Sequence, residues 1–499
     1  MTFNIYADTL RTLSTVKRTE NGATAYSTTG SAIVDLFSVI GAMRNGDSSM
    51  ERVTGLVDAA YAEDPLLTMR MLFYARDIRG GLGEREVFRK AIYHCAKEHP
   101  DTVRMNLTLI PEYGRWDDLF SLIGTPVEEN MWSFIKLQLE EDQEKLAKGE
   151  SVSLLAKWMP SAKTSSKDTM ALARYACGKL GVSVYDYKRL IRDLRRAIHL
   201  LEQDMTAKRW KEVDYEHIPS QAHMRHTAAF YRNDSERYRE YLGAVSKGKA
   251  EVKTQTLFPY EIVERLNVSR YGKEFDGDNE AMEAMWRNLP DYVGEGGDIL
   301  VIADTSGSMT GRPMATSTSL AIYFAERNSG MFKDLYLTFS ERPQPIKLDR
   351  NASLTDKYRQ MLKGPWGCNT NLAIVFDMLL YVAKQTGARQ EDLPRSLVVI
   401  TDMEIDSCSD IRGTLWDTVV DTKRREFTEA GYDLPNIVFW NVASRHDTFL
   451  ANKSYKGVQM VSGSSASVFR AVLGFINGMT PLDAVRQVLS NERYSAVKV

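Results

Sequence analysis

The chain has 499 residues, of which 43% are apolar and 26% charged, and its formal net charge is −2. That length is enough for two to four domains, and the composition excludes a disordered chain, a collagen-like fibre and a disulfide scaffold. No stretch approaches 18 uncharged apolar residues, so we expect no membrane-spanning helix and no membrane partner. The N-terminal residues lack the apolar core of a signal peptide, and the four cysteines are far apart. We therefore expect a cytoplasmic protein with reduced thiols.

Charge is unevenly distributed along the chain. Residues 157–253 contain 20 Lys and Arg against 12 Asp and Glu, a local balance of +8, so the remainder carries −10. A basic segment of this kind indicates either a surface that faces a polyanion or a set of solvated helix faces. Composition alone does not separate these two interpretations.

Residues 1–290 are predicted to be helical. Apolar residues recur there at three- and four-residue steps, and convincing β alternation is absent. Successive helices with no strand between them favour a HEAT-like α-solenoid or an irregular bundle, although no clean repeat period is present. The predicted helices span residues 31–44, 66–76, 84–97, 127–148, 167–180, 185–204 and 235–242.

A doubly wound α/β domain is predicted at residues 291–480. Short apolar runs alternate there with amphipathic stretches, a pattern typical of a largely parallel sheet with buried strands. Residues 481–499 form a tail with one more helix, which we expect to pack back on the helical part. The predicted strands span residues 299–303, 334–339, 396–401, 437–442 and 458–461.

Polar side chains follow these strands where ligands bind in an open α/β sheet. Asp304, Ser306 and Ser308 come after the first strand, Thr370 lies in a glycine-rich loop, and Asp402 follows the strand at 396–401. Two carboxylates with three hydroxyls form an oxygen ligand set suited to Mg²⁺, with Ca²⁺ or Mn²⁺ as alternatives. Capping of the strand–helix turns by Asp and Ser is the other interpretation.

These three motifs carry a resemblance. DTSGS at 304–308, NTN at 369–371 and TD at 401–402 resemble the metal-ion-dependent adhesion site (MIDAS) of the von Willebrand factor A domain. The resemblance implies that the five side chains named above bind the metal, which keeps an open position for a carboxylate from a protein partner. One departure is Met403, where the third motif usually has glycine, and the added carboxylates of Glu404 and Asp406 follow it.

No enzyme is predicted from this site. Metal-assisted hydrolysis needs a positioned nucleophile and a base, and His446 is the only histidine of residues 291–480. We therefore expect a binding site without catalytic residues.

The helical part carries a second resemblance. TENGATAYSTTG at 19–30, RDIRGGLGER at 76–85, YGRWDDL at 113–119 and LLAKWMPS at 154–161 resemble landmarks of TROVE-like proteins. More specifically, they resemble a family of this domain order that is known only as a domain of unknown function. Better-studied relatives, the Ro autoantigen and its bacterial counterparts, are rings of HEAT-like helices closed by a von Willebrand A domain. They bind small structured RNAs and the ends of misfolded RNAs, so the resemblance implies RNA binding here.

Basic residues near aromatic residues give the candidate RNA contacts. Five cations fall on most of one face of the helix predicted at 185–204, and the others flank Trp158 and Trp210. Such interleaving suits phosphate contact combined with base stacking, whereas a solvated helix face remains the alternative. The candidates are Lys157, Lys163, Lys167, Lys188, Arg189, Arg192, Arg195, Arg196, Lys208 and Arg209.

Two weaker signals have simpler interpretations. The glycine-rich loop at 79–83 resembles a phosphate-binding loop, but no strand precedes it and no GK[ST] follows, so a helix–helix turn is favoured. His217, His223 and His226 lie close together without metal-ligand spacing, and we expect ordinary surface or RNA-facing histidines.

Two classes of function follow. In the first, the protein is a noncatalytic RNA-binding component of a ribonucleoprotein, with a separate Mg²⁺-dependent protein contact. In the second, it is a scaffold for a virion or other assembly, and the metal site captures an acidic partner without RNA.

Overall fold

The computed structural model describes residues 15–43, 47–198, 200–266, 279–294, 298–338, 343–363, 372–405, 416–469, 472 and 478–499. Within these ranges the first part of the chain is almost entirely helical. Its helices are α1 (Ala32–Val39), α2 (Asp47–Glu63), α3 (Pro65–Arg76), α4 (Arg85–Glu98), α5 (Pro100–Met105), α6 (Leu109–Tyr113), α7 (Glu128–Ala147), α8 (Leu155–Trp158), α9 (Lys167–Leu180), α10 (Val184–Ala197), α11 (Leu201–Thr206), α12 (Ser220–Asn233), α13 (Ser235–Ser246), α14 (Pro259–Val263) and α15 (Asn279–Arg287).

Capping residues explain where several of these helices begin. Asp64 accepts the N–H of Leu67 at 2.9 Å, and Pro65 occupies the first turn of α3, where its missing N–H costs nothing. Ser183 caps α10 by accepting the N–H of Asp186 at 3.1 Å. The single helix predicted at 185–204 is instead divided into α10, which ends at Ala197, and α11, which begins at Leu201.

A short hairpin precedes the helices, and the prediction of helices alone for residues 1–290 is wrong at this point. Strand β1 (Val16–Arg18) pairs antiparallel with β2 (Thr24–Tyr26). Three residues per strand are too few for alternation to be recognised, and a hairpin this small is not stable alone. Its support is tertiary, because Tyr26 and Phe449 exchange backbone hydrogen bonds of 2.8 and 3.0 Å.

A six-stranded sheet occupies the described residues after 298. The strand order is β5-β4-β3-β6-β7-β8, and all neighbours are parallel except the antiparallel edge pair β4 and β5. The largely parallel sheet predicted for this part of the chain is thus confirmed. The strands are β3 (Ile299–Ala303), β4 (Leu335–Thr338), β5 (Pro345–Lys347), β6 (Ser396–Thr401), β7 (Asn436–Asn441) and β8 (Val458–Ser462).

The edge strand β5 was not predicted. It has three residues, begins at Pro345 and is partly exposed, so it lacks the apolar run that marks the other strands. The helices of this part are α16 (Arg312–Arg327), α17 (Leu354–Lys363), α18 (Ala373–Thr386), α19 (Trp416–Glu429) and α20 (Pro481–Leu489).

The helical part packs directly on the sheet. Helix α1 lies against β8, and a Cβ atom added at Gly41 would lie 2.6 Å from the carbonyl oxygen of Ser462. The Ser462 hydroxyl accepts the Gly41 N–H at 3.0 Å and donates to the Phe37 carbonyl at 2.9 Å. Glycine is therefore required for this close approach.

The tail beyond α20 packs on the helical part. The Asn106 side chain donates to the Lys498 carbonyl at 2.7 Å and accepts the Lys498 N–H at 3.0 Å. Arg493 pairs with the carboxylate of Asp77. Among the described helices, none is long and apolar enough to cross a bilayer.

Candidate functional site

Six of the ten predicted RNA-contacting cations line a single cleft, which we call the basic cleft. Its volume is about 470 Å³, and it lies between the loop after α8, helix α10 and the segment around α11. The remaining lining residues are uncharged, so no carboxylate from the described chain lines the cleft. The six cations are Lys163, Lys188, Arg192, Arg195, Arg196 and Arg209.

The sequence of α10 explains why it presents its cations outward. Tyr187, Ile191 and Leu194 are buried at helical spacing, and the Tyr187 hydroxyl donates to the Pro160 carbonyl at 2.7 Å. This apolar stripe fixes the rotation of the helix. The Lys and Arg residues between its members then face the cleft and the solvent.

Two of the six cations have acidic neighbours outside the lining. Arg192 contacts Asp193 at 2.9 Å and Arg209 contacts Asp204 at 2.6 Å, both at exposed positions. Exposed pairs of this kind are worth about 1 kcal/mol or less, so a phosphate group can replace the carboxylate. No described residue forms an ion pair with the other three exposed cations, which are Lys163, Lys188 and Arg196.

Arg195 differs from its neighbours because its guanidinium is occupied by the protein itself. Its Nε donates to the Ala156 carbonyl at 2.8 Å, Nη1 to the Ser161 hydroxyl at 2.9 Å and Nη2 to the Met159 carbonyl at 2.6 Å. Arg195 therefore holds the loop after α8 against α10. We assign it a positioning role rather than the direct contact predicted for it.

The other four predicted cations lie outside the lining of the cleft. The Lys157 ammonium is 5.8 Å from the centre of the Trp158 ring, a distance consistent with a weak cation–π contact. Lys167, Arg189 and Lys208 are exposed on the same part of the chain.

The second candidate site lies where β3 and β6 end. The two strands are parallel neighbours, and the N–H of Asp304 donates to the Ile400 carbonyl at 2.9 Å, so Asp304 and Asp402 come to the same edge. Both side chains are buried. The hydroxyls of Ser306 and Ser308 lie 3.0 Å apart beside them.

Electrostatics at this edge favour a bound cation. Burial and the neighbouring Asp402 raise the pKa of the Asp304 carboxyl to about 6. Asp304 accepts the Ser306 N–H at 2.9 Å and the Thr401 hydroxyl at 2.8 Å, which orient its two oxygens. Two buried carboxylates with adjacent hydroxyls fit the oxygen chemistry of Mg²⁺.

Part of the predicted ligand set lies outside the described residues. Thr370 and Asp406 belong to that part of the chain. Glu404 is described, and its carboxylate accepts the Glu20 N–H at 2.6 Å, so it is bound to the turn of the hairpin. No group of three or more His, Cys, Asp or Glu with metal-site geometry is found among the described residues, and a site rich in hydroxyls would not form one.

A cation that was not predicted from the sequence lies at this edge. Arg445, from the segment after β7, contacts the Asp402 carboxylate at 2.6 Å and Glu20 at 3.5 Å. The next residue, His446, contacts Glu20 at 2.8 Å. Arg445 therefore neutralises part of the charge of the Asp402 carboxylate, and no local motif marks it.

The weaker sequence signals have structural roles. The loop at 79–83 joins α3 to α4, and its N–H groups turn toward α3, as in the 3.0 Å bond from Leu82 to the Tyr74 carbonyl. The helix–helix turn predicted there is confirmed. His223 is buried against Tyr238 at 2.9 Å, and burial lowers its pKa to about 4, so the predicted exposure of this histidine is wrong.

Several known proteins and protein families are similar to this chain. Two family models, each described as a "Domain of unknown function", match the chain, DUF2828 at residues 19–136 and 179–299 and DUF7788 at residues 298–495. "Uncharacterized protein L728" of Acanthamoeba polyphaga mimivirus is 29% identical over 496 residues, covering 91% of this chain and 84% of that protein. The Deinococcus radiodurans Ro (RSR) protein aligns at 14% identity with a TM-score of 0.38, over 90% of this chain and 99% of that one.

Proposed function

We propose that this chain binds RNA in the basic cleft, as a noncatalytic component of a ribonucleoprotein. One observation carries the proposal: cations from three separate segments line one concave surface that contains no carboxylate from the described chain. Phosphate groups are the ligands that such clusters of guanidinium and ammonium groups recognise. If α10 only presented a solvated face, the loop at 161–163 and Arg209 would not need to lie beside it.

The resemblance of the helical motifs to TROVE-like proteins favours small structured RNAs or misfolded RNAs as the ligand. An exposed aromatic ring near the cleft supports recognition of unpaired bases. Tyr185 is 74% exposed at the start of α10, where its ring is free to stack on a base.

A pair of charge-reversal variants tests the proposal. Arg192→Glu with Arg196→Glu removes two exposed cations of the cleft, and we expect RNA affinity at low salt to fall by at least about tenfold. Lys247→Glu with Lys249→Glu is the matched control, because these exposed residues belong to the same basic segment but lie outside the cleft. Electrophoretic shift with a structured RNA is the measurement. Failure of the wild-type chain to shift RNA at low salt contradicts the proposal.

A second candidate function rests on the carboxylates at the sheet edge. We propose that Asp304, Ser306, Ser308 and Asp402, with Thr370, bind Mg²⁺, and that the metal accepts a carboxylate from a protein partner. Burial of the Asp304 carboxyl, with the neighbouring Asp402 as the second cause, raises its pKa, and this supports the proposal because a bound cation would offset both effects. If the chain binds no RNA, this metal site alone would make the protein a scaffold for an assembly.

One variant separates the two functions. Asp304→Ala should abolish Mg²⁺ binding in a calorimetric titration and leave RNA affinity unchanged, since the basic cleft shares no residue with the sheet edge. Loss of RNA binding in this variant contradicts the separation of roles. Retention of Mg²⁺ affinity contradicts the metal assignment.

A further inference from the structure

A second cleft lies at the seam between the helical part and the sheet, and we call it the seam pocket. Its volume is about 470 Å³, and its walls come from the ends or starts of α3, α4, α12, α14 and α16. None of the ten predicted RNA-contacting residues lines it. The residues that matter here are Arg76, Arg85, Arg115, Tyr260, Glu261 and Arg312.

Two arginines, one from each part of the molecule, are held on aromatic rings in this pocket. The guanidinium carbon of Arg115 lies 4.7 Å from the centre of the Trp158 ring, and that of Arg312 lies 5.2 Å from the centre of the Tyr260 ring. Within the described ranges, neither guanidinium forms an ion pair or donates a hydrogen bond. Stacking fixes a planar guanidinium while leaving its N–H edge free to bind an anion.

The other cations of the pocket wall are already paired. Arg76 contacts the buried carboxylate of Asp118 at 2.7 Å, and Arg85 contacts Glu86 at 2.8 Å. Burial and the nearby charges of Arg76 and Arg85 lower the pKa of Arg115, and the carboxylates of Asp117 and Asp118 act in the opposite direction. Arg115 nevertheless has no ion-pair partner within the described ranges.

The carboxylates of the wall are engaged elsewhere. Glu261 accepts the Gln221 amide at 2.9 Å and the Phe258 N–H at 2.9 Å, and Glu84 is buried with contacts of its own. Glu86, the third carboxylate of the wall, pairs with Arg85, so Arg115 and Arg312 are the two wall arginines without a carboxylate partner among the described residues. Two arginines without a carboxylate partner can together bind an anion.

We infer that the seam pocket binds a phosphate group, as a phosphomonoester. Two guanidinium groups offer paired N–H donors that match the oxygens of a phosphate, and charge-assisted bonds of this kind are the strongest hydrogen bonds available to the protein. The volume admits a ligand of nucleotide size. A free mononucleotide and the terminal phosphate of a polynucleotide present the same chemistry. The inference does not depend on the basic cleft, with which the pocket shares no residue.

Calorimetric titration of the full chain with AMP and with inorganic phosphate tests the inference. We expect saturable binding that weakens by about tenfold or more in Arg312→Gln, because one charge-assisted pair is lost. Arg312 is exposed, so this variant retains the fold, and Arg115→Gln provides the same test from the other wall. Arg287→Gln is the control, since Arg287 is exposed on α15 and outside the pocket.

A short oligoribonucleotide with a 5′-phosphate, compared with its 5′-hydroxyl form, separates the two sources of phosphate. Both are titrated into the Arg192→Glu, Arg196→Glu variant, so that the basic cleft does not contribute. Preference for the 5′-phosphate assigns a polynucleotide end, and binding of AMP alone assigns a free nucleotide. Absence of saturable binding by every one of these ligands, or affinities unchanged in both Arg312→Gln and Arg115→Gln, overturns the inference. Loss of RNA binding with retention of AMP binding would concern the basic cleft alone.

Discussion

Arg493 and Asp77 join the tail of the chain to the loop after α3. The Asp77 side chain is 1% exposed, and its carboxylate receives Arg493 Nη2 at 2.9 Å. The Tyr494 hydroxyl donates to the same carboxylate at 3.1 Å. The carboxylate also accepts the Arg79 N–H at 2.9 Å, but both of its side-chain partners lie in the last ten residues, so the tail is part of the helical core.

Removing the arginine should destabilise the whole protein. We expect Arg493→Ala to lower the free energy of unfolding by about 2–3 kcal/mol, because Asp77 stays buried without its charged partner. Arg486→Ala is the control, since Arg486 is exposed on α20, and it should change stability by about 0.5 kcal/mol or less. Urea unfolding measures both, and equal values for the two variants would contradict the role assigned to Arg493.

The contact between α1 and β8 predicts a size limit at Gly41. A methyl group there would lie 2.6 Å from the Ser462 carbonyl oxygen, so Gly41→Ala should cost about 1–3 kcal/mol through overpacking. Gly55, inside α2, has no atom within 4 Å of the same methyl position. Gly55→Ala should therefore stabilise the protein by up to about 1 kcal/mol. Thermal unfolding that ranks the two substitutions in the opposite order would refute the described packing.

Salt dependence should report the number of phosphate contacts in the basic cleft. Each phosphate contact contributes about 0.7 to the slope of log K against log salt for single-stranded RNA. Arg192→Gln with Arg196→Gln should therefore reduce the slope by about 1.4. Lys247→Gln with Lys249→Gln should leave it unchanged. Fluorescence anisotropy across a series of salt concentrations gives both slopes, and equal reductions would remove the cleft from the binding site.

Arg445 should compete with Mg²⁺ at the sheet edge. Its guanidinium contacts Asp402 at 2.6 Å, so Arg445→Ala should raise Mg²⁺ affinity by about tenfold or more through the loss of a nearby positive charge. Asp402→Ala should instead abolish binding. Arg359→Ala, on α17, is the control for a change in net charge. Calorimetric titration that finds weaker Mg²⁺ binding in Arg445→Ala would make the arginine a support of the site rather than a competitor.

Local sequence patterns were sufficient for the five parallel strands of the sheet and for the position of its polar edge. The apolar runs of β3 and β6 are buried on both faces, and Asp304 and Asp402 follow them directly. The cations along α10 were also predictable, because they recur at helical spacing. The capping residue and the buried stripe of this helix lie within the same short segment. In these cases the information lies within about ten consecutive residues, so a single sequence carries it.

Contacts between distant segments were not predictable in this way. Arg445 and Glu20 meet at the sheet edge although 425 positions separate them, and no local pattern links the two residues. The roles of Arg115 and Arg312 in the seam pocket were not predicted either, because they depend on aromatic rings that the fold brings beneath them. Arg195 shows the opposite error. Its spacing in the helix predicts an exposed side chain, but its guanidinium donates hydrogen bonds to the segment at 156–161.

The bridge between Tyr26 and Phe449 has a consequence for biosynthesis. The hairpin and α1 leave the ribosome well before their partners, since Gly41 has its partner 421 positions downstream. At about 5–20 residues per second, the apolar face of α1 waits for about 20–80 s before β8 exists to cover it. Helices α2 and α3 can pack on α1 during that interval, but the part of α1 that contacts β8 has no native partner yet. Complete burial of α1 is therefore a late event in the folding of this chain.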